Sequence, residues 1–548
     1  MSPILAVKNL SISFDGQTTL VDQVSFSLSP GEIKGIVGES GSGKSITVFS
    51  LIRLLDKAIV TGEALYTDKA GQTHNLLTVD LQTLQKIRGG EIGFVFQEPM
   101  TSLNPSTTCG LQIDEAIVKH LNYSASQAKQ RSLELLSEVK LTEVERIYSS
   151  YPHQLSGGQR QRVMIAMALA ANPQILIADE PTTALDVTVQ KSVVELIKQL
   201  AIDRHMAVLF ISHDLGLVQY IADKTIVMFK GQILEEASST MLVNHPTHAY
   251  TQALVNSRPS LNATMDRLPV FDERYELIKS EIKPKNHTDS KVLIKVIQIK
   301  KHFTVKKDFW GRPKVVTKAV DDVSFEINQG KTLAIVGESG SGKSTVSKLL
   351  LNLEAINAGD IYFEDQKISG LTESQFKPFR RQMQMVFQDP YSSLNPYHTI
   401  EEIIAEPLHI FNIDIKSNRK ERVASLLKKV HLPQDFMSRH PHQLSGGQRQ
   451  RICIARALAT SPPFIICDES VAALDVSVQA TVLNLLKDLQ EELNLTYLFI
   501  THDLHVARFI SHTTLVMQKG RVEEYGKTSE LFDSPQSSYL QNLLLNIF

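Results

Sequence analysis

Gly38-Glu39-Ser40-Gly41-Ser42-Gly43-Lys44-Ser45 decides the fold, and the same eight residue types return as Gly337-Glu338-Ser339-Gly340-Ser341-Gly342-Lys343-Ser344. Each copy follows a continuously apolar stretch and precedes an apolar helical pattern. In such a strand–loop–helix, glycines let backbone N–H groups surround phosphates, the lysine reaches the β and γ oxygens, and the serine hydroxyl ligates Mg²⁺. We therefore predict two phosphate-binding loops, with every residue of both stretches and Thr345 binding a nucleotide.

The two loops belong to a longer internal repeat. The pentapeptide LSGGQ spans Leu155–Gln159 and returns at Leu444–Gln448, 289 positions later. The same interval separates Asp179 from Asp468, each at the end of an apolar run. A single phosphate-binding loop is also compatible with GTP binding or a kinase reaction. Two copies of all three elements indicate two ATP-hydrolysing halves in series.

Length and composition fit two or more ordinary soluble domains. The chain has 548 residues, of which 42% are hydrophobic and 21% charged. A net charge of −2 gives no general attraction for nucleic acid or anionic lipid. The three cysteines show neither metal-ligand spacing nor a disulfide framework, which favours a reducing cytoplasm. We see no signal peptide and no apolar run of about 18 residues, so the chain is not expected to cross a membrane.

The hydrophobic pattern predicts three parts in each half. Alternating apolar residues in 7–14 and 296–303 favour an antiparallel sheet with one covered face. Continuous apolar runs, such as those ending at Gly38 and Asp179, favour parallel strands buried on both faces. After Gln97 the period becomes helical. The predicted fold class is α/β: two tandem nucleotide-binding domains, each with a mainly parallel core, an antiparallel β subdomain and an inserted helical subdomain.

The stretch 258–292 differs in character from both halves. It is polar, contains prolines and lacks a sustained period, so it predicts a linker with a short helix around 272–281. The predicted domains are therefore residues 1–257 and 293–548, joined by this linker.

Acidic pairs follow two of the predicted buried strands. Asp179-Glu180 ends ILIAD-E, and Asp468-Glu469 ends FIICD-E. Ligands of α/β sheets gather at the carboxyl ends of parallel strands. We predict that the aspartates organise a metal and that the glutamates polarise the attacking water. The alternative is that each acidic pair only caps a following helix.

Together these elements resemble the ATP-binding-cassette family over nearly the whole chain, and LSGGQ is far more specific to that family than a phosphate loop. The resemblance implies that two cassettes meet head to tail. ATP bound by the loop of one half is then covered by the LSGGQ signature of the other, where glycines allow close approach and a helix N-terminus faces the γ-phosphate. The signature residues are Ser156, Gly157, Gly158, Gln159, Ser445, Gly446, Gly447 and Gln448.

The resemblance also assigns roles to residues around each site. Gln97 and Gln388 sense Mg²⁺ and the γ-phosphate, His213 and His502 contact the γ-phosphate, and Asp186 and Asp475 bridge the two sites. The implied Mg²⁺ ligands are Ser45, Gln97 and Asp179 in the first half, and Ser344, Gln388 and Asp468 in the second.

Adenine is expected to stack on an aromatic residue upstream of each loop. Phe14 and Phe303 are the candidates. Phenylalanine is also a common core residue, and Phe309 or Trp310 competes for this role in the second half.

Within the family, three stretches are similar to the ATP-binding subunits of bacterial dipeptide, oligopeptide, nickel and glutathione importers. They are FQEPMTSLNP at 96–105, FQDPYSSLNP at 387–396 and the tail HPTHAYTQAL. Many such relatives have a cysteine cluster after the tail, thought to bind iron–sulfur, but 257–292 contains no cysteine, so no iron–sulfur cluster is expected. Ser470 replaces Pro181 after the second acidic pair, which alters a turn but no catalytic group. Two hydrolytic sites are therefore expected.

The resemblance implies ATP and Mg²⁺ as cofactors and two membrane-spanning permease subunits as partners. A periplasmic or surface solute-binding protein would act indirectly. The chain would lie at the cytoplasmic face of the bacterial inner membrane, as a peripheral subunit that binds no nucleic acid.

Two other classes of twin-cassette protein fit the sequence less well. A soluble ribosome-associated ATPase would normally join its halves by a long basic helical arm, whereas 258–292 is short and mixed in charge. A DNA-repair ATPase would require zinc-binding cysteines in its insertions, and this sequence lacks them. The sequence does not distinguish a peptide or glutathione from nickel or another solute of the same importer group.

Overall fold

The computed structural model describes residues 2–14, 16, 18–183, 185–261, 265–271, 291–307, 313–413, 418–472 and 474–547. The chain divides into two compact units, Met1–Val255 and Asn256–Ile547, called here the first and second unit. The domain boundaries given above stay a prediction. The helix predicted around 272–281 lies outside the described residues.

The strands of the first unit are β1 (Leu5–Ser13), β2 (Thr19–Leu28), β3 (Ile33–Val37), β4 (Ile59–Thr67), β5 (Thr73–Asn75), β6 (Ile92–Val95), β7 (Ile175–Asp179), β8 (Ala207–Ser212), β9 (Lys224–Phe229) and β10 (Gln232–Ser238). They form an antiparallel sheet of order β2-β1-β4-β5 and a six-stranded sheet of order β10-β9-β3-β8-β7-β6. In the larger sheet only the edge strand β10 is antiparallel to its neighbour.

The helices of the first unit are α1 (Lys44–Leu51), α2 (Leu81–Gly90), α3 (Pro99–Ser102), α4 (Cys109–Leu121), α5 (Ala125–Glu138), α6 (Val144–Ser149), α7 (Gly157–Ala168), α8 (Val187–Asp203), α9 (Leu215–Ile221), α10 (Ser239–Asn244) and α11 (Ala249–Asn256). Helices α3 to α7 lie in the chain between β6 and β7, so they form the predicted insertion between two neighbouring strands of the larger sheet.

The second unit repeats this arrangement. Its strands are β11 (Val292–Lys307), β12 (Pro313–Asn328), β13 (Thr332–Val336), β14 (Ala358–Phe363), β15 (Gln366–Lys367), β16 (Met383–Val386), β17 (Phe464–Asp468), β18 (Thr496–Ile500), β19 (Thr513–Gln518) and β20 (Arg521–Lys527). Its sheets have the orders β12-β11-β14-β15 and β16-β17-β18-β13-β19-β20. Its helices are α12 (Lys343–Leu350), α13 (Glu373–Gln382), α14 (Ile400–Ile410), α15 (Arg419–Lys429), α16 (Gly446–Leu458), α17 (Val476–Leu493), α18 (Leu504–Ile510), α19 (Thr528–Asp533) and α20 (Ser538–Leu545).

Burial explains why the two kinds of sheet have different sequence patterns. Every residue of β3, β7 and β8 is buried, as expected for parallel strands covered on both faces. Side chains of β2 alternate between buried and exposed, because only one face of the antiparallel sheet is covered. The predicted α/β fold class with its antiparallel subdomains is confirmed.

The inserted helices have a buried stripe at the spacing that the sequence indicates. Leu135, Leu136 and Val139 have no exposed surface, and Val423 and Leu427 have none in the second unit. Each such side chain stabilises its helix by roughly 1.5–3 kcal/mol through burial alone. Among the described residues, no helix is long and apolar enough to cross a membrane.

The described part of the predicted linker packs on the second unit. Leu268 is 3% exposed within the core that includes α17. The Asn484 side chain accepts from the Leu268 N–H at 2.9 Å and donates to the Leu268 carbonyl at 2.7 Å. Arg267 contacts Asp488 and Glu491, each at 2.8 Å. Residues 265–271 are therefore attached to α17, although the stretch 258–292 as a whole is polar and shows no sustained period.

Candidate active sites

Glycine is sterically required at several positions of the two phosphate loops. Gly38 has a φ of 154° and Gly43 a φ of 98°, a backbone region that side chains rarely adopt. A Cβ on Gly38 would lie 2.2 Å from the Met228 carbonyl oxygen, and the matching atoms of Gly337 and Met517 give 2.2 Å as well. These positions allow the chain to turn tightly from β3 into α1, and from β13 into α12.

The loop lysines lie inside their loops. Lys44 is 5% exposed, and its Nζ donates to the carbonyls of Gly38 at 2.7 Å and Glu39 at 2.8 Å. Lys343 donates to Gly337 and Glu338 at the same two distances. Each ammonium group thus lies beside the N-terminus of the helix that it begins. A buried cation beside unpaired helix N–H groups favours binding of an anion such as phosphate.

Serine and aspartate oxygens meet beside each loop in an arrangement that fits Mg²⁺. The Ser45 hydroxyl donates to Asp179 Oδ1 at 3.0 Å, and Ser344 donates to Asp468 Oδ1 at 3.2 Å. Asp179 Oδ2 is buried without a hydrogen bond to any described residue. Mg²⁺ prefers such hard oxygen ligands and usually binds one or two protein oxygens together with substrate phosphates. The described residues contain no group of three or more His, Cys, Asp or Glu that could hold a metal unaided.

The electrostatics of Asp179 also fit a cation. Burial raises the pKa of Asp179 to about 6, and the neighbouring Glu180 carboxylate adds to this rise. The Ser45 hydrogen bond and the Lys44 charge oppose it. A divalent cation bound here would favour the ionised aspartate. In the second site, burial likewise raises the pKa of Asp468.

Three side chains converge on one carboxylate oxygen of Glu180. Gln97 Nε2 donates to Glu180 Oε2 at 3.1 Å, and the Thr183 hydroxyl donates to the same atom at 2.9 Å. His213 Nδ1 lies 3.3 Å from it. Glu180 itself has a φ of 45°, so the backbone turns sharply where β7 ends. The predicted Gln97, Glu180 and His213 therefore form one cluster beside Asp179.

This environment keeps Glu180 ionised. Burial alone would raise the pKa of Glu180, but the hydrogen bond and charge of His213, the Thr183 hydrogen bond and the Lys44 charge together lower it to about 2. An ionised carboxylate accepts hydrogen bonds only. Glu180 can therefore orient and polarise a water molecule at neutral pH.

The second site contains the same cluster with one donor fewer. Gln388 Nε2 donates to Glu469 Oε2 at 2.7 Å, and His502 Nδ1 lies 3.5 Å from Glu469 Oε1. The hydrogen bond from His502 lowers the pKa of Glu469 against the effect of burial. Ala472 occupies the position that corresponds to Thr183.

Sequence reasoning missed two kinds of residue in these sites. Thr183 was not singled out, although a comparison of PTTALD with SVAALD shows where the halves differ. Tyr250 and Tyr539 were also missed: their hydroxyls accept from the backbone N–H of Glu39 at 3.2 Å and of Glu338 at 3.0 Å. The two tyrosines are 289 positions apart, which was the available signal. They hold the first turn of each phosphate loop against the tail helices α11 and α20.

The signature residues begin helices α7 and α16. Ser156 Oγ accepts from the Gln159 N–H at 3.3 Å, and the Ser156 N–H donates to the Gln159 side-chain oxygen at 3.1 Å. Ser445 and Gln448 form the same reciprocal cap. Both glutamines were predicted to bind nucleotide, and the structure places their amide oxygens in these helix caps.

The two signature glycines differ in the space around them. A Cβ on Gly158 would lie 2.6 Å from Val189 Cγ1, and a Cβ on Gly447 would lie 2.2 Å from Val478 Cγ1. The second glycine therefore allows close packing of the signature helix against the next long helix. A Cβ on Gly446 would lie 3.8 Å from its nearest neighbour, so the first glycine has no such steric requirement within its own unit.

The remaining predicted residues lie at the edges of these sites. Asp186 precedes α8, and its side chain accepts from the Val189 N–H at 3.0 Å. Phe14 is 44% exposed and Phe303 is 38% exposed, so neither is a core residue. The Lys301 ammonium lies 4.9 Å from the centre of the Phe303 ring. The competing Phe309 and Trp310 lie outside the described residues.

Comparisons with known proteins match both halves of the chain. The family model described as ABC transporter matches residues 21–183 and again 320–472. The family model described as oligopeptide/dipeptide transporter, C-terminal region, matches residues 234–280.

Individual relatives match over almost the whole chain. The glutathione import ATP-binding protein GsiA of Salmonella paratyphi A is 43% identical over 99% of this chain and 89% of that protein. GsiA of Escherichia coli K12 has the same identity and coverage. A solved structure of the ATP-binding cassette MJ0796 bound to ADP and Pi is 33% identical, covers 43% of this chain and 99% of that chain, and has a TM-score of 0.39.

Proposed function

The chain belongs to the ABC transporter family, and we propose that it is the ATP-hydrolysing, energy-coupling subunit of a bacterial importer for peptides or glutathione. The observation that supports this most directly is the match of residues 234–280 to the oligopeptide/dipeptide transporter C-terminal region. That stretch contains α11 and Tyr250, whose hydroxyl accepts from the phosphate loop. A tail typical of peptide transporters is thus in direct contact with the first ATP site.

Hydrolysis in each site depends on a glutamate that orients water. In the first site, Gln97, Thr183 and His213 all contact Glu180 Oε2, which leaves Oε1 to accept from the attacking water. Gln97 would exchange its hydrogen bond with Glu180 for a contact with Mg²⁺ and the γ-phosphate. Binding of ATP would therefore release the carboxylate for catalysis.

Mg²⁺ would be held by Ser45, Asp179 and Gln97 in the first site. Ser344, Asp468 and Gln388 would hold it in the second. The ion would supply charge stabilisation for the transferred phosphoryl group. The protein oxygens would hold the ion in place, and the loop lysine would contribute a second positive charge.

The two ATP sites would be completed head to tail. Ser445, Gly446 and Gly447 would cover the ATP bound at Lys44, and the first signature would cover the ATP bound at Lys343. The room around Gly446 supports this arrangement, because packing within its own unit does not explain a glycine there. A backbone without a side chain can approach a phosphate closely. Closure of the composite sites would drive transport, and hydrolysis would reopen them.

Two membrane-spanning permease subunits would bind beside Gln97 and Gln388, and a solute-binding protein would act through them. Exposed apolar side chains follow both glutamines: Met100 is 54% exposed and Tyr397 is 87% exposed. Such side chains suit insertion into a partner interface. The chain would therefore be peripheral, at the cytoplasmic face of the inner membrane.

Uptake of labelled dipeptide, oligopeptide, glutathione and nickel tests the proposal in cells with and without this chain. Tyr397→Glu is expected to reduce uptake and membrane association while ATP hydrolysis continues. The matched control is Tyr123→Glu, at a tyrosine that is 41% exposed in the first unit. Co-sedimentation with ribosomes instead of membranes, in cells that express the whole system, would reject the importer. Uptake of nickel alone would reject the peptide or glutathione assignment.

A further inference from the structure

The second unit contains a cleft that belongs to neither ATP site. Its volume is about 570 Å³, within the range of roughly 300–1,000 Å³ that small-molecule sites occupy. Its walls come from the turn before β13, from α18, from the end of β20 and from Met265 of the segment attached to α17. Among the described residues, its lining includes none of those assigned to nucleotide or Mg²⁺.

Positive charge gathers along this cleft. Lys331, Arg508 and Lys527 line it. Within the described ranges, no oxygen accepts a hydrogen bond from Lys331 Nζ. Arg508 donates to Asp533 at 2.7 Å, which uses one of five guanidinium N–H groups. Lys527 pairs with Glu530 at 3.1 Å, but both side chains are about 70% exposed, and such surface pairs contribute little.

The lining contains one carboxylate, and that group is already paired. Glu326 lies 2.9 Å from Lys295, and both of these side chains are about half exposed. His512 Nδ1 accepts from the Thr332 N–H at 3.1 Å, so the proton of the neutral ring is on Nε2. The lining thus offers three cations and further hydrogen-bond donors against a single carboxylate.

The matching positions of the first unit carry less positive charge. Lys331, Arg508, His512 and Lys527 correspond in the repeat to Glu32, Gln219, Asp223 and Ser238. Asp223 accepts from the Ile33 N–H at 2.9 Å, as His512 does from Thr332, so the fold permits an acid there. One matching position does carry a lysine, since Lys224 corresponds to the lining residue Thr513, while Lys34 beside it is 2% exposed and bonds internally to Glu236 at 2.7 Å. The combination of Lys331, Arg508 and Lys527 is therefore specific to the second unit and is not required by the shared fold.

Apolar surface forms another side of the cleft. Met265, Phe509 and Tyr525 contribute to it. The Tyr525 hydroxyl donates to the Glu326 carbonyl at 3.1 Å, which fixes the position of that ring. A bare phosphate ion would use the cations but would leave this apolar surface and most of the volume unused. The ligand that fits both surfaces is an organic anion.

We propose that this cleft binds a small organic anion of peptide size. A carboxylate of the ligand contacts Lys331 and Arg508, and an apolar side chain packs against Met265 and Phe509. Lys527 adds positive charge at the open edge. The ligand therefore touches both the segment attached to α17 and the body of the second unit.

Calorimetric titration of the full chain, saturated with Mg²⁺ and a non-hydrolysable ATP analogue, tests this site. Three probes separate the chemistries: the tripeptide Glu-Leu-Glu, the N-acetylated amide of Gln-Leu-Gln, which is neutral, and inorganic phosphate. Glu-Leu-Glu is expected to bind at least tenfold more tightly than the other two. Lys331→Glu is expected to weaken its binding about tenfold or more, because a hydrogen bond to a charged group is lost and a repulsion is added.

Lys291→Glu is the matched control, since Lys291 is 61% exposed and lies outside the cleft lining. It makes the same change in net charge and is expected to leave the titration unchanged. Equal melting temperatures of the two variants would show that Lys331→Glu is folded. Equal affinity for the charged and neutral peptides, unchanged binding by Lys331→Glu, or no binding at all would each overturn the proposal. Phosphate binding as tightly as the peptide would also overturn it.

Discussion

The two proposed ATP sites share their phosphate loops, strand-end acids, glutamines and histidines, yet they differ in the turn after the glutamate that we propose as general base. The first site has Thr183 there, and the second has Ala472. In the first site three groups contact a single oxygen of Glu180. In the second site Gln388 and His502 contact different oxygens of Glu469. Complete motifs thus do not make two sites equivalent, because the orientation of a catalytic carboxylate also depends on its neighbours.

Removal of both catalytic carboxylates should have the largest effect. Glu180→Gln with Glu469→Gln is expected to reduce turnover about 10²- to 10⁴-fold, the usual contribution of a general base. ATP should still bind, because the loop lysines and the strand-end aspartates are unchanged. Phosphate release and retained nucleotide are the measurements. Glu195→Gln makes the same change outside the site, where Glu195 accepts from Tyr220, and should leave turnover unchanged.

The single variants Glu180→Gln and Glu469→Gln compare how much each site contributes to turnover. Turnover that falls equally in Glu180→Gln and Glu469→Gln indicates two equivalent sites, in contradiction to the difference described above. Wild-type turnover in the double variant would remove both residues from the mechanism.

A charge in one signature should affect the other unit. Gly446→Asp would place a carboxylate against the γ-phosphate bound at Lys44. Like charges about 4 Å apart repel by about 4 kcal/mol at an effective dielectric constant near 20, which corresponds to roughly 10²- to 10³-fold. Photo-crosslinked ATP should therefore decrease at the first loop. A decrease at the second loop alone would show that the head-to-tail pairing is wrong.

Steric controls separate this effect from misfolding. Gly446→Ala has room, with its nearest neighbour at 3.8 Å, and should keep crosslinking at both loops. Gly447→Ala would clash with Val478 Cγ1 at 2.2 Å and should destabilise the second unit itself. Melting temperatures distinguish the two variants.

The tyrosines behind the phosphate loops provide a contact that should be equal in the two sites. Tyr250→Phe and Tyr539→Phe each remove the acceptor for a loop N–H, at 3.2 and 3.0 Å. A hydrogen bond of this kind contributes about 0.5–1.5 kcal/mol, so ATP affinity should fall about two- to tenfold in each. Tyr220→Phe, at a tyrosine whose hydroxyl bonds to Glu195, is the control. Unchanged ATP affinity in both variants would show that the tyrosines only pack against the loops and that their hydrogen bonds do not strengthen ATP binding.

These contacts mark the limit of prediction from the sequence. The loop and the strand-end acids were predictable, because each belongs to a local motif at the same edge of a parallel sheet. Gln97 and His213 were predictable only through the resemblance to the family. Tyr250 lies 211 residues from Glu39, and no local pattern indicates that contact. The burial of Leu268 was equally hidden, because its seven-residue segment depends on Asn484 and not on its own periodicity.

Exchange of the one differing donor should produce the smallest effect. Thr183→Ala removes one of three contacts to Glu180 and lets the carboxylate rotate, while His213 and the Lys44 charge still keep its pKa low. Ala472→Thr adds the corresponding donor to Glu469. With the opposite site inactivated, we expect turnover to fall about two- to fivefold in the first case and to rise in the second, with KM for ATP unchanged.

Thr182→Val is the matched control for this exchange. It introduces the residue type of the second unit, Val471, at a threonine whose hydroxyl accepts from Gln190 and does not contact Glu180. If Thr182→Val changes turnover as much as Thr183→Ala does, the difference in turnover between the two sites comes from the shape of the turn and not from the Thr183 hydroxyl. A change only with Thr183→Ala, reversed in direction by Ala472→Thr, would assign the inequality of the two sites to a single hydroxyl group. Among the described residues, the other side chains that contact the two glutamates are a glutamine and a histidine in both units.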